Sequence, residues 1–371
     1  MDLKEKFMKR AIALAQRGKG FTAPNPSVGA VVVKNGEKIG EGWHKRYGSD
    51  HAEVVAIKDA IKNGYDVKDA ELFVTLEPCN HYGKTPPCTE FILKHKIKKV
   101  YVGCKDPNPS VKGGGIDYLR SKGVYVESGI LEEKCKELIE DFMIWIEQKR
   151  PYVYLKIAST LDGKIADRYG NSSWITNEKS RTWVHELRAR VDAVLIGSNT
   201  LYKDNPKLTC RLKKREKKDP FATVVSQNLP SQKYSYLYLF KERPQKTIFF
   251  ALSDPYKTFD FWVRKGVNVH LLKERSKNFL DLKEVLKVLY REYKCYYVLC
   301  EGGGKIANSL LEDKMVDELL LFFAPKIIGD EKAISNFRGR SDVSLKDCYT
   351  FKLKKVKTFD QDLCLVLKPE R

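Results

Sequence analysis

His51, Glu53, Cys79 and Cys88 are the residues whose types and spacing most directly imply chemistry. One imidazole and two thiols make a zinc ligand set. Zinc takes N and S donors in a tetrahedron, and a catalytic site keeps the fourth position for water. A bound zinc lowers the pKa of that water to about 7. Glu53 follows the imidazole by two residues and is not needed as a ligand. It is placed to carry protons between the activated water and a substrate. A lone His-x-Glu is common, and two cysteines are more often small core residues than ligands. The combination is rarer: His51-Ala52-Glu53, a strand-like run at 72–76, Glu77-Pro78-Cys79, then Cys88. It points to a zinc hydrolase. A structural zinc is the competing reading, and it needs a fourth protein ligand, for which His81 is the candidate.

The elements that must position these groups follow from periodicity. Residues 4–17 carry Phe7, Ala11, Leu14 and Ala15 at helical spacing, ended by Gly18 and Gly20. Pro24-Asn25-Pro26-Ser27-Val28-Gly29 is turn-rich and holds Asn25 rigidly, either as an amide facing a flat heterocycle or as an Asx turn. Residues 30–33 read as a buried strand, Asn35-Gly36 as a hairpin turn, and the returning strand reaches His44. His51 opens a helix over 52–63. Strands at 72–76 and 100–104 alternate with helices after Cys88 and after Gly113-Gly114-Gly115. One charged helix spans 132–148. Ligands at helix starts after strands fit an open α/β sheet, whose sites lie beyond the strand ends.

At 371 residues about two domains are expected. Lys149-Arg150-Pro151 marks the boundary, giving domains 1–148 and 151–371. The chain has 68 basic and 48 acidic residues, a net +20. Such a balance suits nucleic acid, phosphorylated metabolites or a lysine-rich surface. The lysines are scattered, and the densest run, 211–218, reads as a solvated loop. Residues 1–6 lack an apolar signal core. The longest apolar run, 319–324, is far shorter than a membrane span of about 20. Nine cysteines with no regular framework fit a reducing cytoplasm; the seven besides Cys79 and Cys88 read as buried thiols.

In the second half, 152–158 alternates as a strand, and Ser159-Thr160-Leu161-Asp162-Gly163-Lys164 reads as a turn able to cap or bind. A helix over 178–190 presents His185, Arg188 and Arg190. Strands at 191–197, 222–225, 246–251, 267–271 and 296–300 alternate with helices as βαβ units. Glu301-Gly302-Gly303-Gly304 then joins a strand to a helix. Backbone N–H groups at a helix start attract anions, and glycines let the backbone approach closely. The junction reads as a phosphate cradle or, failing that, a tight turn.

These residues resemble a known family. Pro24-Asn25-Pro26-Ser27-Val28-Gly29, Gly42-Trp43-His44, His51-Ala52-Glu53, Glu77-Pro78-Cys79 to Cys88, and Asp106-Pro107-Asn108-Pro109 resemble the deaminase half of the bifunctional riboflavin-biosynthesis deaminase/reductases. Eight residues separate the cysteines, whereas nucleobase deaminases with the Pro-Cys-x-x-Cys signature have two. The reductase half is matched by Lys156-Ile157-Ala158-Ser159, Asp162-Gly163-Lys164, Ser172, Trp174, Arg188 with Asp192, Gly197, Thr200, Asp204, Pro206, Leu208, Arg211, Glu301-Gly302-Gly303-Gly304 and residues 317–325.

The resemblance implies an α/β protein: a cytidine-deaminase-like three-layer α/β/α domain followed by a dihydrofolate-reductase-like α/β domain. It implies one Zn2+ per chain on His51, Cys79 and Cys88, with Glu53 as proton shuttle. Asn25, His44, His81, Lys84, Asp106 and Asn108 would line the pyrimidine and phosphate site. Lys156, Ser172, Arg188, Leu208, Arg211 and Glu301 would contact the reductase substrate. Ala158, Trp174, Thr200, Asp204, Ser226, Gly302, Gly303, Gly304 and Lys305 would contact NADPH. Where many relatives carry Asp-Ser this chain has Ser226-Gln227, which bears on preference for the cofactor's 2′-phosphate. The implied partner is a small phosphorylated pyrimidine, with no nucleic acid and no membrane; a homo-oligomer is left open. The alternative suggested by charge is a nucleic-acid-editing zinc deaminase with an accessory basic binding domain.

Overall fold

The computed structural model describes residues 2–83, 85–108, 114–172, 175–212, 219–276, 279–341 and 343–370. The chain divides into two compact units, Met1–Lys149 and Arg150–Arg371. Arg150 enters the second unit for a physical reason. Its buried guanidinium donates to both oxygens of Asp317 at 2.6 and 2.8 Å. Asp317 also accepts from the Val153 N–H at 2.8 Å.

The first unit runs α1 (Leu3–Ala15), β1 (Gly29–Lys34), β2 (Glu37–Trp43), α2 (Ala52–Lys62), β3 (Glu71–Leu76), α3 (Cys88–Lys94), β4 (Lys99–Cys104), α4 (Gly115–Ser121), β5 (Tyr125–Ser128), α5 (Glu132–Leu138) and α6 (Glu140–Gln148). Its sheet order is β2-β1-β3-β4-β5. β1 is antiparallel to both neighbours, and β3, β4 and β5 are parallel. Ala30, Val31, Val32 and Val33 are all buried, as expected of a strand covered on both faces. The β1–β2 turn uses Asn35 and Gly36, both at positive φ, the backbone that an Asn-Gly hairpin supplies. α2 lies close on β2 because Gly42 has no side chain: a Cβ there would stand 2.6 Å from the Ala56 nitrogen. That approach fixes the start of α2.

The single charged helix expected over 132–148 is two helices. The backbone breaks at Ile139 (φ −105°, ψ 14°). Asp141 then enters the first turn of α6, buried, with Lys19 3.4 Å away. An acidic first turn suits a helix start, which periodicity alone does not reveal.

The second unit runs β6 (Tyr152–Thr160), β7 (Lys164–Ala166), α7 (Glu178–Arg188), β8 (Ala193–Gly197), α8 (Ser198–Asp204), β9 (Phe221–Val225), α9 (Tyr238–Lys241), β10 (Thr247–Ala251), α10 (Phe259–Arg264), β11 (Asn268–Leu271), β12 (Glu274–Ser276), β13 (Phe279–Leu280), α11 (Leu282–Arg291), β14 (Tyr297–Cys300), α12 (Gly304–Glu312), β15 (Glu318–Ala324), β16 (Ile334–Ser335), β17 (Phe351–Phe359) and β18 (Asp362–Pro369). The main sheet has the order β11-β10-β9-β8-β14-β6-β15-β18-β17. It is parallel from β11 to β15, and β18 and β17 are antiparallel additions. One face packs Val153, Leu155 and Ile157 of β6 under α11 and α12.

Ser159 and Thr160 complete β6 rather than forming a turn. Asp162 acts as a cap: it accepts from Thr160 Oγ1 at 2.6 Å and from the N–H groups of Ile328 and Gly329. The Thr160 hydroxyl, with those N–H groups, holds its carboxyl down at about 2. Cys348 is exposed, against the expectation of a buried thiol; Cys104, Cys135, Cys210, Cys295, Cys300 and Cys364 are buried. No helix among the described residues is long and apolar enough to cross a membrane.

Candidate active sites

Two helix starts and one strand end build the first site. His51 is the N-cap of α2, Cys88 opens α3, and Cys79 follows β3. His51 Nδ1 lies 3.2 Å from Cys88 Sγ and 3.4 Å from Cys79 Sγ. All three donor atoms fall within 4.8 Å of one another. Ligands on one tetrahedral zinc would stand about 3.6 Å apart, from Zn–N and Zn–S bond lengths, so the donor set fits that metal. The Cys88 N–H, at the start of α3, points at Cys79 Sγ from 3.4 Å; helix-start amides favour a thiolate. A hydrogen bond from the Cys88 thiol, with His51 alongside, pulls the Cys79 thiol well below its usual range. His51 Nε2 faces Thr85 Oγ1 at 3.5 Å, which orients the ring. Among the described residues His81 is not in the donor cluster; it is exposed. The structural-zinc reading therefore has no fourth donor there.

Glu53 lies in the first turn of α2 and is buried. Burial pushes its carboxyl up to about 7, with His51 opposing. A cavity of about 420 Å³ opens on it, walled by Asn25, His44, His51, Cys79, His81, Asp106 and Asn108. The His44 ring is fixed at both nitrogens. Nδ1 lies 3.1 Å from the Asp50 carbonyl, which only accepts, so Nδ1 carries the proton. Nε2 then accepts from Asn25 Nδ2 at 3.2 Å. Burial lowers the His44 pKa, which favours the neutral ring.

Glu77 is a site residue that sequence reasoning named only as part of a motif. It accepts from the Asp106 N–H at 3.2 Å and the Ile116 N–H at 3.0 Å, tying the loop after β4 to α4. Gly115 permits this: a Cβ there would sit 1.9 Å from the Pro78 carbonyl oxygen. Phe142 and Ile146 of α6 also wall the cavity, and no local signal marks them. Lys84 lies outside the described residues.

The second unit holds two adjoining cavities. Lys156, Ala158, Ser172, Arg188, Thr200, Asp204, Arg211, Glu301, Gly302 and Gly303 line one of about 420 Å³. Ser226, Gly304 and Lys305, with Thr200 and Gly303, line another of about 530 Å³. Asn199 and Arg338 line both, and the sequence reading did not place them in the site. Leu208 lines neither; it is buried, with φ +49°. Trp174 lies outside the described residues.

Glu301 and Arg188 form a two-pronged pair, Nε to Oε1 at 2.7 Å and Nη2 to Oε2 at 3.0 Å. Burial raises the Glu301 pKa, but the Arg188 charge and hydrogen bonds outweigh it and hold the carboxyl below its usual range. Burial lowers the Lys156 pKa, with the Glu301 charge opposing. Arg211 Nε lies 3.1 Å from His185 Nε2; His185 lines the same cavity. Gly303 caps α12, and a Cβ there would meet no atom within 4 Å. That open, amide-lined space suits a diphosphate.

Comparisons with known proteins agree with this geometry. Residues 1–104 match the family model of the cytidine and deoxycytidylate deaminase zinc-binding region, and residues 151–365 match that of the RibD C-terminal domain. The chain is 40% identical to the riboflavin biosynthesis protein RibD of Aquifex aeolicus over 99% of each chain. It is 34% identical to that of Escherichia coli over 98% of each. Among solved structures, a diaminohydroxyphosphoribosylaminopyrimidine deaminase/5-amino-6-(5-phosphoribosylamino)uracil reductase from Thermotoga maritima is 41% identical, with TM-score 0.82 over 99% of each chain. Acinetobacter baumannii RibD is 34% identical, with TM-score 0.82 over 100% of this chain and 99% of that one. These relatives leave the editing-deaminase alternative without support. The chain belongs to the family of bifunctional riboflavin-biosynthesis deaminase/reductases.

Proposed function

We propose that the first unit hydrolyses the 2-amino group of 2,5-diamino-6-(5-phosphoribosylamino)pyrimidin-4(3H)-one, releasing ammonia. The second unit then reduces the ribosyl group of the product, 5-amino-6-(5-phosphoribosylamino)uracil, to ribityl with NADPH. The observation that carries this reading is the convergence of His51, Cys79 and Cys88 beside buried Glu53.

In the deaminase site His51, Cys79 and Cys88 would hold zinc, whose chemistry there would be the activation of water at neutral pH. Glu53 would serve as the proton carrier, taking a proton from the attacking water and passing protons to the ring and the leaving amine. Burial favours the protonated carboxyl over the charged one, which suits a group that must hold a proton as well as take one. Asn25, oriented by neutral His44, presents its amide to the pyrimidine edge. Asp106, Asn108, His81 and Lys84 complete the pyrimidine and phosphate contacts.

In the reductase site Arg211 faces the substrate phosphate, since guanidinium suits phosphate geometry. Arg188 is committed to Glu301, so this pair acts as a fixed wall that orients Lys156. Ser172 closes the substrate side. Ala158, Trp174, Thr200, Asp204 and Ser226, with the glycine loop and Lys305, hold NADPH. The cofactor supplies the hydride, and the protein supplies orientation. A coupled assay on the diaminopyrimidine phosphate, following ammonia and NADPH separately, tests the reading. Ammonia release must precede and be required for NADPH oxidation; NADPH oxidation without prior deamination would contradict it.

A further inference from the structure

The larger reductase cavity has a wall that phosphate binding at α12 does not use. Tyr202 of α8, Tyr234 of the 3-10 turn Gln232–Tyr236, and Tyr256 after β10 all line it. The Tyr202 and Tyr234 ring centroids are 4.5 Å apart, with planes 33° from parallel. Tyr256 is 59% exposed, so a large aromatic face is left to solvent. Three separate segments supply the rings, and one is tied to the end of β9: Ser253 Oγ donates to Asn228 Oδ1 at 2.7 Å. Ser226, Gln227 and Asn228 give that same cavity polar groups. Gly303, Gly304 and Lys305 give it a helix start and a cation. A ligand matching all of this has a flat, weakly polar ring system joined to an anionic diphosphate. At about 530 Å³ the cavity is within the range of small-molecule sites.

We propose that Tyr202, Tyr234 and Tyr256 form the seat for the adenine ring of the dinucleotide, with its diphosphate on the start of α12. This rests on the reductase reading and deepens it by assigning the cofactor's remote half to particular rings. Stacking on aromatic side chains recognises a base by its π-face and is lost with the ring.

Calorimetric titration of the full chain with 2′,5′-ADP, NADPH and reduced nicotinamide mononucleotide tests the assignment. The unaltered protein should bind 2′,5′-ADP. Tyr256→Ala, at an exposed loop position, and Tyr234→Leu should each weaken 2′,5′-ADP and NADPH about tenfold. Both should raise the KM for NADPH far more than they lower kcat. They should leave affinity for the mononucleotide and zinc-dependent ammonia release unchanged. Tyr234→Phe, which keeps the ring, should restore binding. If NADPH binds these variants as tightly as the unaltered protein, the seat is wrong and the reductase reading stands. If the mononucleotide weakens in parallel, the tyrosines act on the fold and the seat is again wrong. If the unaltered protein binds neither dinucleotide nor mononucleotide, the reductase reading itself fails.

Discussion

Glu53 and Glu301 are each enclosed by protein, yet their carboxyls are driven in opposite directions. Glu53 is lifted to about 7 because burial strips its charge of water and His51 offsets this only in part. Glu301 is half-buried and is pushed the same way by the water it loses, but both its oxygens are held by Arg188. Enclosure alone therefore does not set a carboxylate's role. The presence of a dedicated cation does. The first group is free to exchange a proton; the second is a fixed charge that shapes a cavity.

The sharpest way to break this contrast is Glu53→Gln. Ammonia release should fall about 10²–10⁴-fold, the usual worth of a positioned acid/base. Zinc content and NADPH oxidation on the deaminated product should persist. Loss of both activities would show that the two sites are not independent.

Glu301→Gln should act on stability instead. It leaves the half-buried Arg188 charge without its carboxylate, at a cost below the about 3–5 kcal/mol of a fully buried pair, read as a lower melting transition with ammonia release kept. The pH response follows from the lowered pKa of Glu301. A depressed acid stabilises the fold above its unfolded value of about 4.3. That contribution is lost as pH falls through the lower folded value. Acid unfolding of the second unit should therefore be steeper in the unaltered protein than in Glu301→Gln, measured by circular dichroism.

A smaller effect is expected at Gly115→Ala. The added methyl meets the Pro78 carbonyl, so the loop bearing Cys79 must shift, at about 1–3 kcal/mol. Zinc affinity should drop while NADPH affinity stays. Unchanged zinc affinity would mean that the loop accommodates the methyl without moving Cys79.

The zinc site was legible because its parts lie within 38 residues, from His51 to Cys88, at junctions that strand and helix patterns mark. The alternation of strands and helices in both halves was legible for the same local reason. The Arg188–Glu301 pair spans 113 residues and depends on how α7 meets the end of β14, which no local period encodes. Phe142, Ile146, Asn199 and Arg338 are cavity walls by topology alone. Leu208 carries the family pattern but turns inward at positive φ, so its identity speaks for packing at that bend. Cys348 shows the limit of composition, because a thiol's type does not fix its burial.

The most direct test is metal analysis of the purified protein alongside Cys88→Ser. The account predicts one zinc per chain in the unaltered protein. In Cys88→Ser it predicts loss of both zinc and ammonia release, with NADPH oxidation on the deaminated product retained. Full ammonia release from protein carrying far less than one zinc per chain would contradict it.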